Sequence, residues 1–383
     1  MNVPKIRFND FDDNIIKISI KELGNVITGT TPSTADRSNY GDEYLWASPV
    51  DMGDFKYINN TKTKLSEKGF NKTRCVPKDS ILITCIGSTI GKTGMASKEM
   101  STNQQINTLI PNKIYNSDYL YYCINFNFPR FLNKISFQAV PIISKSEFEK
   151  LEVSITKNIY EQEKIGKLLS LLDKKIELQS KKIEDLKLFK LSLREKIFYM
   201  FPTNNKKLSE ILIKWNKKNK DNKYSYVESV SNKFGFIAQN EQFEDRNVAS
   251  NDTSNYYVIE KGVFAYNPSR LNVGSLALKQ NDKVSLVSPL YECFTTNQNQ
   301  DFMLEWFQSK EFKRGTFSKY EGGVRNTLNF NNLSSIEIKL PSLESQSKIV
   351  KVLNCYNKMI NLELEKLNKL LEFKKGLMQQ LFI

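Results

Sequence analysis

The sequence contains a long tandem repeat. Residues 161–198, EQEKIGKLLSLLDKKIELQSKKIEDLKLFKLSLREKIF, align without a gap on residues 345–382, SQSKIVKVLNCYNKMINLELEKLNKLLEFKKGLMQQLF. The offset is 184, and 14 of the 38 positions are identical, among them Gln162/Gln346, Lys164/Lys348, Ile165/Ile349, Phe189/Phe373 and Phe198/Phe382. One residue of slippage extends the match upstream, pairing Leu151-Glu152-Val153-Ser154-Ile155 with Ile336-Glu337-Ile338-Lys339-Leu340. A chain built this way must form the same substructure twice.

Both copies read as long helices. Apolar residues recur at alternating spacings of four and three: Ile165, Leu169, Leu172, Ile176, then Ile183, Leu186, then Leu193, Ile197. The second copy gives Ile349, Leu353, Tyr356, Ile360, then Leu367, Leu370, then Leu377, Leu381. This is the 3.5-residue period of a coiled coil. The seam is interrupted at the same two places in each copy, by Gln179/Glu363 and by Lys190/Lys374. A single heptad stripe is commonly a core-facing helix, but two stripes with matching interruptions point to helices that pack on each other. Polar seam residues fix register and partner choice at a cost in stability. Antiparallel pairing with full overlap brings Gln179 and Glu363 together near a pseudo-twofold axis. It also sets the two preceding regions at opposite ends of a rod, since a 38-residue helix is ~57 Å long. Parallel pairing satisfies the same periodicity.

The regions before the helices, 18–150 and 206–335, read as compact and strand-rich. Short apolar runs lie between turn signals: Ser80 to Ile86 before Gly87, Tyr57-Ile58 before Asn59-Asn60, and Val284 to Val287 before Ser288-Pro289. Residues 118–135 and 300–314 read as short amphipathic helices at corresponding places. The expected class is α+β, with two strand-rich domains separated by two long helices in an antiparallel coiled coil. The expected boundaries are an N-terminal extension over 1–17, a first domain over 18–157 and a central helix over 158–200. A second domain over 201–340 and a C-terminal helix over 341–383 complete the chain.

Composition narrows the function. The chain has no histidine, which removes Ser-His-Asp and Cys-His triads, HExxH zinc sites and any imidazole base. Five scattered cysteines include no CxxC pair and read as reduced core thiols. The formal charge is +14. It is spread out: residues 1–149, 150–198, 199–335 and 336–383 carry net +3, +4, +4 and +3. Such an even basic balance suits a polyanion touched along much of the molecule. The start, MNVPKIRFNDFDDN, has no apolar run of signal length, and Ile81 to Ile86 is too short to span a bilayer. A cytoplasmic protein without a membrane role is expected.

Two segments resemble enzyme motifs and fall short of them. Gly87-Ser88-Thr89-Ile90-Gly91-Lys92-Thr93 has three residues between its glycines where a phosphate loop needs four, so it reads as a turn between strands. Asn267-Pro268-Ser269-Arg270 lacks the second proline and the aromatic of an amino-methyltransferase motif. No carboxylate cluster has nuclease spacing. The expectation is no catalytic residue and no metal ligand.

Candidate DNA contacts remain. Lys206 to Lys223 holds seven lysines, including Lys217, Lys218 and Lys220, with Trp215. The first domain offers Lys62, Lys64, Lys68, Lys72 and Arg74, with Lys92 in the glycine loop. A charge run is commonly just a solvated face; duplication and overall charge favour the nucleic-acid reading. Arg246, Arg270, Arg314 and Arg325 stand out because arginine is scarce here and reads guanine bidentately, whereas lysine mostly neutralises phosphate. Asn103, Gln104 and Gln105 offer amides suited to adenine.

At this point the chain resembles the specificity subunit of a Type I restriction–modification system. The resemblance covers nearly the whole sequence. The first domain has Gly29-Thr30-Thr31-Pro32-Ser33, Tyr44-Leu45-Trp46, Gly87-Ser88-Thr89-Ile90-Gly91 and Thr102-Asn103-Gln104-Gln105-Ile106. The second has Val263-Phe264-Ala265-Tyr266-Asn267-Pro268 and Val287-Ser288-Pro289-Leu290-Tyr291. Each ends in a family-like junction, Leu151 to Gln162 and Ile336 to Gln346; the first has Ser154 to Asn158 where the family tends to show Leu-Pro. Each pentapeptide alone is weak, but the order domain, junction, long helix, given twice, is specific.

The resemblance implies two target recognition domains, each reading one half of a split duplex DNA sequence, and a helix pair that sets the half-site spacing. It implies docked modification subunits that bring S-adenosylmethionine, and a restriction subunit that brings ATP and Mg²⁺ chemistry, in bacterial defence. On that reading this chain holds no cofactor. The competing readings are a stand-alone DNA-modifying or DNA-cleaving enzyme and a coiled-coil scaffold with no nucleic-acid role.

Overall fold

The computed structural model describes residues 4–53, 55–132, 141–232, 235–239, 252–271, 274–320 and 327–383. The chain divides into two units, residues 1–183 with 363–383 and residues 184–362. The helices of eight or more residues among those described are α1 (Ser117–Leu132), α2 (Ile159–Ile197), α3 (Gln300–Phe307), α4 (Lys310–Phe317) and α5 (Leu343–Leu381). Each unit therefore holds one strand-rich domain and a stretch of both long helices.

In the first unit the main sheet has five strands, in the order Gly24–Thr28, Ile106–Pro111, Ile81–Thr84, Thr93–Ala96, Tyr57–Ile58. All neighbours are antiparallel except the last pair. Ile81–Thr84 is buried at every position, as an apolar run rich in β-branched residues at the middle of a sheet covered on both faces should be. Alternation divides it: Ile81 and Ile83 face the core under α1, while Leu82 faces a second core with Leu45, Val76 and Ile106. That second core is closed by another five-stranded sheet containing Tyr44–Ala47 and Met100–Thr102. A separate ribbon pairs Ile15–Ser19 with Glu152–Thr156, so the expected boundary at residue 17 falls inside a strand.

The second unit repeats this plan. Its four-stranded sheet runs Leu212–Lys214, Glu292–Thr296, Phe264–Tyr266, Leu276–Leu278, all antiparallel. The order matches the first four strands of the first domain. The same alternation holds, with Phe264 and Tyr266 facing the core under α3 and α4, and Ala265 facing the other side. A ribbon of Thr203–Lys207 with Glu337–Pro341 matches the first ribbon. The helix expected over 300–314 is broken in two, because Ser309 caps a new start: its Oγ accepts from the Phe312 N–H at 3.2 Å.

The long helices run antiparallel within each unit. In the first, Asp173 meets Lys374 at 2.5 Å and Gln179 meets Glu363 at 2.6 Å. In the second, the Phe189 and Tyr356 rings lie 5.3 Å apart. Ile165, Leu169, Leu172, Ile183, Ile349, Leu353 and Ile360 are buried; Ile176, Leu186, Tyr356, Leu367 and Leu370 are half-buried. Four of these do more than pair helices. Ile165 and Leu169 belong to the first domain's core, and Ile349 and Leu353 to the second's. The helix ends do likewise, Leu381 and Phe382 entering the first core and Ile197 and Phe198 the second.

All five cysteines are free; Cys85, Cys123 and Cys293 are buried, Cys75 is half-buried and Cys355 is exposed on α5. Cys355 is thus no core thiol. No helix among the described residues is long and apolar enough to cross a membrane.

Candidate nucleic-acid interface

In the first domain three separated sequence segments converge on one loop cluster. Gly29 packs so closely on the backbone of Thr102 and Asn103 that a Cβ there would lie 2.2 Å from the Asn103 carbonyl. The Thr30 N–H donates to the Thr102 carbonyl at 2.7 Å, and the Trp46 indole N–H donates to the Thr30 carbonyl at 3.1 Å. Arg74 joins them, its guanidinium donating to the Thr28 carbonyl at 2.9 Å. The glycine loop is stitched alongside, with the Cys85 N–H donating to the Gln105 carbonyl at 2.8 Å. Gly87 and Gly91 both have φ near +90°, and a Cβ on Gly91 would press on Phe128 at 3.0 Å. The glycine pattern therefore serves a tight turn between Ile81–Thr84 and Thr93–Ala96, which are adjacent antiparallel strands.

The amides of this cluster differ in orientation. Asn103 is buried; its Oδ1 accepts from the Gln105 N–H at 2.9 Å and its Nδ2 donates to Gln105 Oε1 at 3.1 Å. It braces the loop and does not present its amide to solvent. Gln104 is exposed, and its Oε1 accepts from the Thr31 hydroxyl. Gln105 is half-buried with its Nε2 beside Gly87. Lys62 and Arg74 are exposed, Lys64 half-buried, and none of them forms an ion pair among the described residues. Lys72 is exposed but bound, to Asn39 Oδ1 at 3.0 Å and to Asp36 at 3.6 Å. Asp36 also meets Lys68 at 3.0 Å, and hydrogen bonds from Ser38 and Lys68 hold its carboxyl well below the usual range. Lys92 lies elsewhere, in a cleft of about 730 Å³ shared with Lys56, Asp118, Lys167 and Asp173.

The second domain places corresponding loops side by side. The turn after Phe264–Tyr266 carries Asn267 and Arg270; the turn before Glu292–Thr296 carries Ser288 and Tyr291. Together with Glu228 and Gln239 they line a cleft of about 310 Å³. Asn267 Oδ1 accepts from the Ser269 N–H at 3.0 Å, which fixes the turn. Arg270 is exposed and forms no ion pair among the described residues. Gln239 Oε1 is buried with no hydrogen-bond partner among the described residues, and sequence reasoning gave no hint of it. Glu228 of the cleft lining forms an ion pair with Lys279, their side chains 5 % and 0 % exposed. Arg246 and Arg325 lie outside the described residues.

The lysine-rich segment is less free than its composition suggests. Lys206 pairs with Glu210, Lys214 with Glu292 and Lys217 with Glu260. Lys218 donates to the Asn255 carbonyl at 2.9 Å and lies over the Tyr257 ring. Lys220 is exposed and unpaired among the described residues. Exposed pairs of this kind contribute little and are readily exchanged for phosphate.

A model of the Type I restriction modification DNA specificity domain matches residues 13–188 and 200–372. This chain belongs to that family. The specificity chain is 31 % identical over 188 residues to the Type I restriction enzyme MjaIX specificity subunit of Methanocaldococcus jannaschii, covering 48 % of this chain and 43 % of that one. It is 36 % identical over 105 residues to the HindI specificity subunit of Haemophilus influenzae, covering 27 % and 23 %. The matches thus span less than half the length of these curated relatives.

Its fold is similar to that of the Type I restriction–modification S subunit from M. genitalium, with TM-score 0.58 and 17 % identity over 100 % of this chain and 99 % of that one. A chain from a structural study of assembly and conformational transition in the type I R-M system gives TM-score 0.58 at 11 % identity over 97 % and 99 %. The two matched segments of the specificity chain each contain one loop cluster and most of the long helix that follows it.

Proposed function

We propose that this chain reads a bipartite duplex DNA sequence, one half-site per domain, and leaves the chemistry to partner subunits. The duplicated loop cluster carries this reading. Equivalent strands in the two domains project equivalent loops, and those loops differ in the groups they offer. Gln104 and Gln105 stand before Ile106–Pro111 where Ser288 and Tyr291 stand before Glu292–Thr296, and Arg270 stands in the turn that corresponds to the Gly87–Gly91 loop. A constant scaffold with variable amide and guanidinium tips suits the reading of two different sequences. The surrounding lysines supply sequence-blind phosphate contacts.

The helices support docking of modification subunits. Apolar residues stay exposed at equivalent positions of both copies: Leu168/Val352, Leu178/Leu362 and Phe189/Phe373. Leu178 and Leu362 are 59 % and 56 % exposed, so the two copies present like apolar surface at the same place. Two copies of one partner fit this arrangement, with S-adenosylmethionine on those copies and ATP and Mg²⁺ on a restriction subunit, in the cytoplasm.

Selection from a random duplex library with the purified chain, alone and with its modification subunit, tests the reading. Two short conserved blocks separated by a fixed unconserved gap are expected, and the same motif should be methylated only when the modification subunit is present. A single contiguous block, or methylation by this chain alone given S-adenosylmethionine, overturns it.

A further inference from the structure

The lysines that interrupt the apolar seam have a use that pairing does not explain. Lys190 and Lys374 hold the same place in the repeat, 184 residues apart. Neither is a solvated surface lysine, since their side chains are 14 % and 20 % exposed. Placing an ammonium at such a site costs desolvation unless a carboxylate compensates it. Each has one. Lys374 meets Asp173 at 2.5 Å, and Lys190 meets Glu305 at 2.6 Å.

The carboxylates come from different elements. A second correspondence shows how. Asn116 and Asn299 cap α1 and α3 in the same way, their Oδ1 atoms accepting from the N–H of Tyr119 at 2.9 Å and of Phe302 at 3.0 Å. The backbone N–H of each donates to the repeated glutamine, Gln162 or Gln346. Counting onward from these caps, Tyr122 of the first domain occupies the place of Glu305 in the second. In the second unit the domain thus supplies the carboxylate itself, and Arg194 reaches its other oxygen at 3.5 Å. In the first unit the domain supplies a phenol: Tyr122 donates to Asp173 Oδ2 at 2.6 Å, and Asp173, on α2, holds Lys374. Both seam lysines are tied to the face of the first domain helix by one carboxylate.

We propose that Lys374 with Asp173 and Tyr122, and Lys190 with Glu305, are latches that fix the seating of each domain on the helix pair, and so are positioning residues for the spacing between half-sites. The inference rests on the bipartite reading above. Apolar contact between a domain and the helix pair is non-directional. A directional, partly buried ion pair on the helix face selects one seating. The alignment that gives the chain its repeat therefore retains lysine where a leucine would pair the helices better.

The test is library selection with the full chain and its Tyr122→Phe, Lys374→Met and Lys190→Met variants, scoring the half-sites and the gap separately. Tyr122→Phe removes one hydroxyl and preserves the ring's packing, so it keeps the test valid if a lysine variant fails to fold. Expected is an unchanged pair of half-sites with a gap that shifts or broadens from one length to several; Lys374→Arg restores the single length. Variants that bind more weakly yet keep the wild-type gap overturn the latch. A wild-type chain that selects no bipartite motif overturns the underlying reading instead, before any variant is compared.

Discussion

Gln179 and Glu363 occupy the same position in the two copies of the repeat and bond to each other. The Gln179 Nε2 donates to Glu363 Oε2 at 2.6 Å and to the Glu363 carbonyl at 2.9 Å. Lys182 and Lys366 each reach Glu363 Oε1 at 3.0 Å. Equivalent residues of two antiparallel helices meet only at the centre of the repeat, so this contact sets the register of the pair.

These partners hold the Glu363 carboxyl at about 2, down from 4.5, the hydrogen bond from Gln179 contributing most and those from Lys182 and Lys366 following. A depressed carboxylate stabilises the fold above its unfolded value and loses that contribution as pH falls through its folded value. Glu363→Gln should therefore melt below wild type at pH 7. The gap should hold down to about pH 5 and close progressively between about 4.5 and about 2. Thermal unfolding followed across that range checks it; a gap that is independent of pH counts against the assignment to Glu363.

Leu172 and Ile360 are 9 % and 8 % exposed and sit one on each helix. Replacing either with Asp puts a carboxylate at a buried apolar position, at a cost on the order of 3 kcal/mol. Leu172→Met should cost under about 1.5 kcal/mol, because volume and polarity are preserved. Denaturant unfolding separates the two; equal losses would mean that the site is not a packed seam.

The seam was legible because a 3.5-residue period is written in consecutive residues, and the meeting of Gln179 with Glu363 follows from that period and an antiparallel sense. What lay outside local pattern was not legible. The partners of Lys190 and Lys374 are Glu305 and Asp173, chosen by tertiary packing across more than a hundred residues. The lysine run over 206–223 looked free because Glu260 and Glu292, which neutralise two of its members, lie far downstream. Asn103 and Gln104 are neighbours of similar chemistry, yet one turns inward to brace a loop and the other outward. Only the loop's backbone path decides that.

The repeated glutamine gives a third expectation. Gln162 Nε2 donates to the Thr156 carbonyl at 2.7 Å and its Oε1 accepts from the Asn116 N–H at 2.9 Å. Gln346 does the same with the Pro341 carbonyl and the Asn299 N–H, at 2.9 and 3.0 Å. Both are fully buried. Each ties the junction strand, the helix start and the domain helix in one step. Replacing either with Leu orphans a buried carbonyl, roughly 1–3 kcal/mol, and removes the partner of a half-buried N–H. The two single variants should lose similar stability in chemical denaturation. A large loss at one and none at the other would show that the duplicated residue has lost its duplicated role.

Arg270 and Lys220 separate base reading from phosphate neutralisation. Both are exposed and free of ion pairs among the described residues, but only Arg270 lines the cleft between the two equivalent loops. If it reads a base, Arg270→Ala should relax the sequence preference at one position of one half-site by about 1–3 kcal/mol. The other half-site should be untouched. Lys220→Ala should instead weaken binding to all sequences alike and reduce the slope of log K against log salt by about 1. Binding titrations over a salt series, on the selected site and on single-base variants, distinguish these outcomes. An Arg270 variant that changes only the salt slope would demote it to a phosphate contact and leave Gln239, whose buried oxygen has no partner among the described residues, as the residue to test next for reading in that domain.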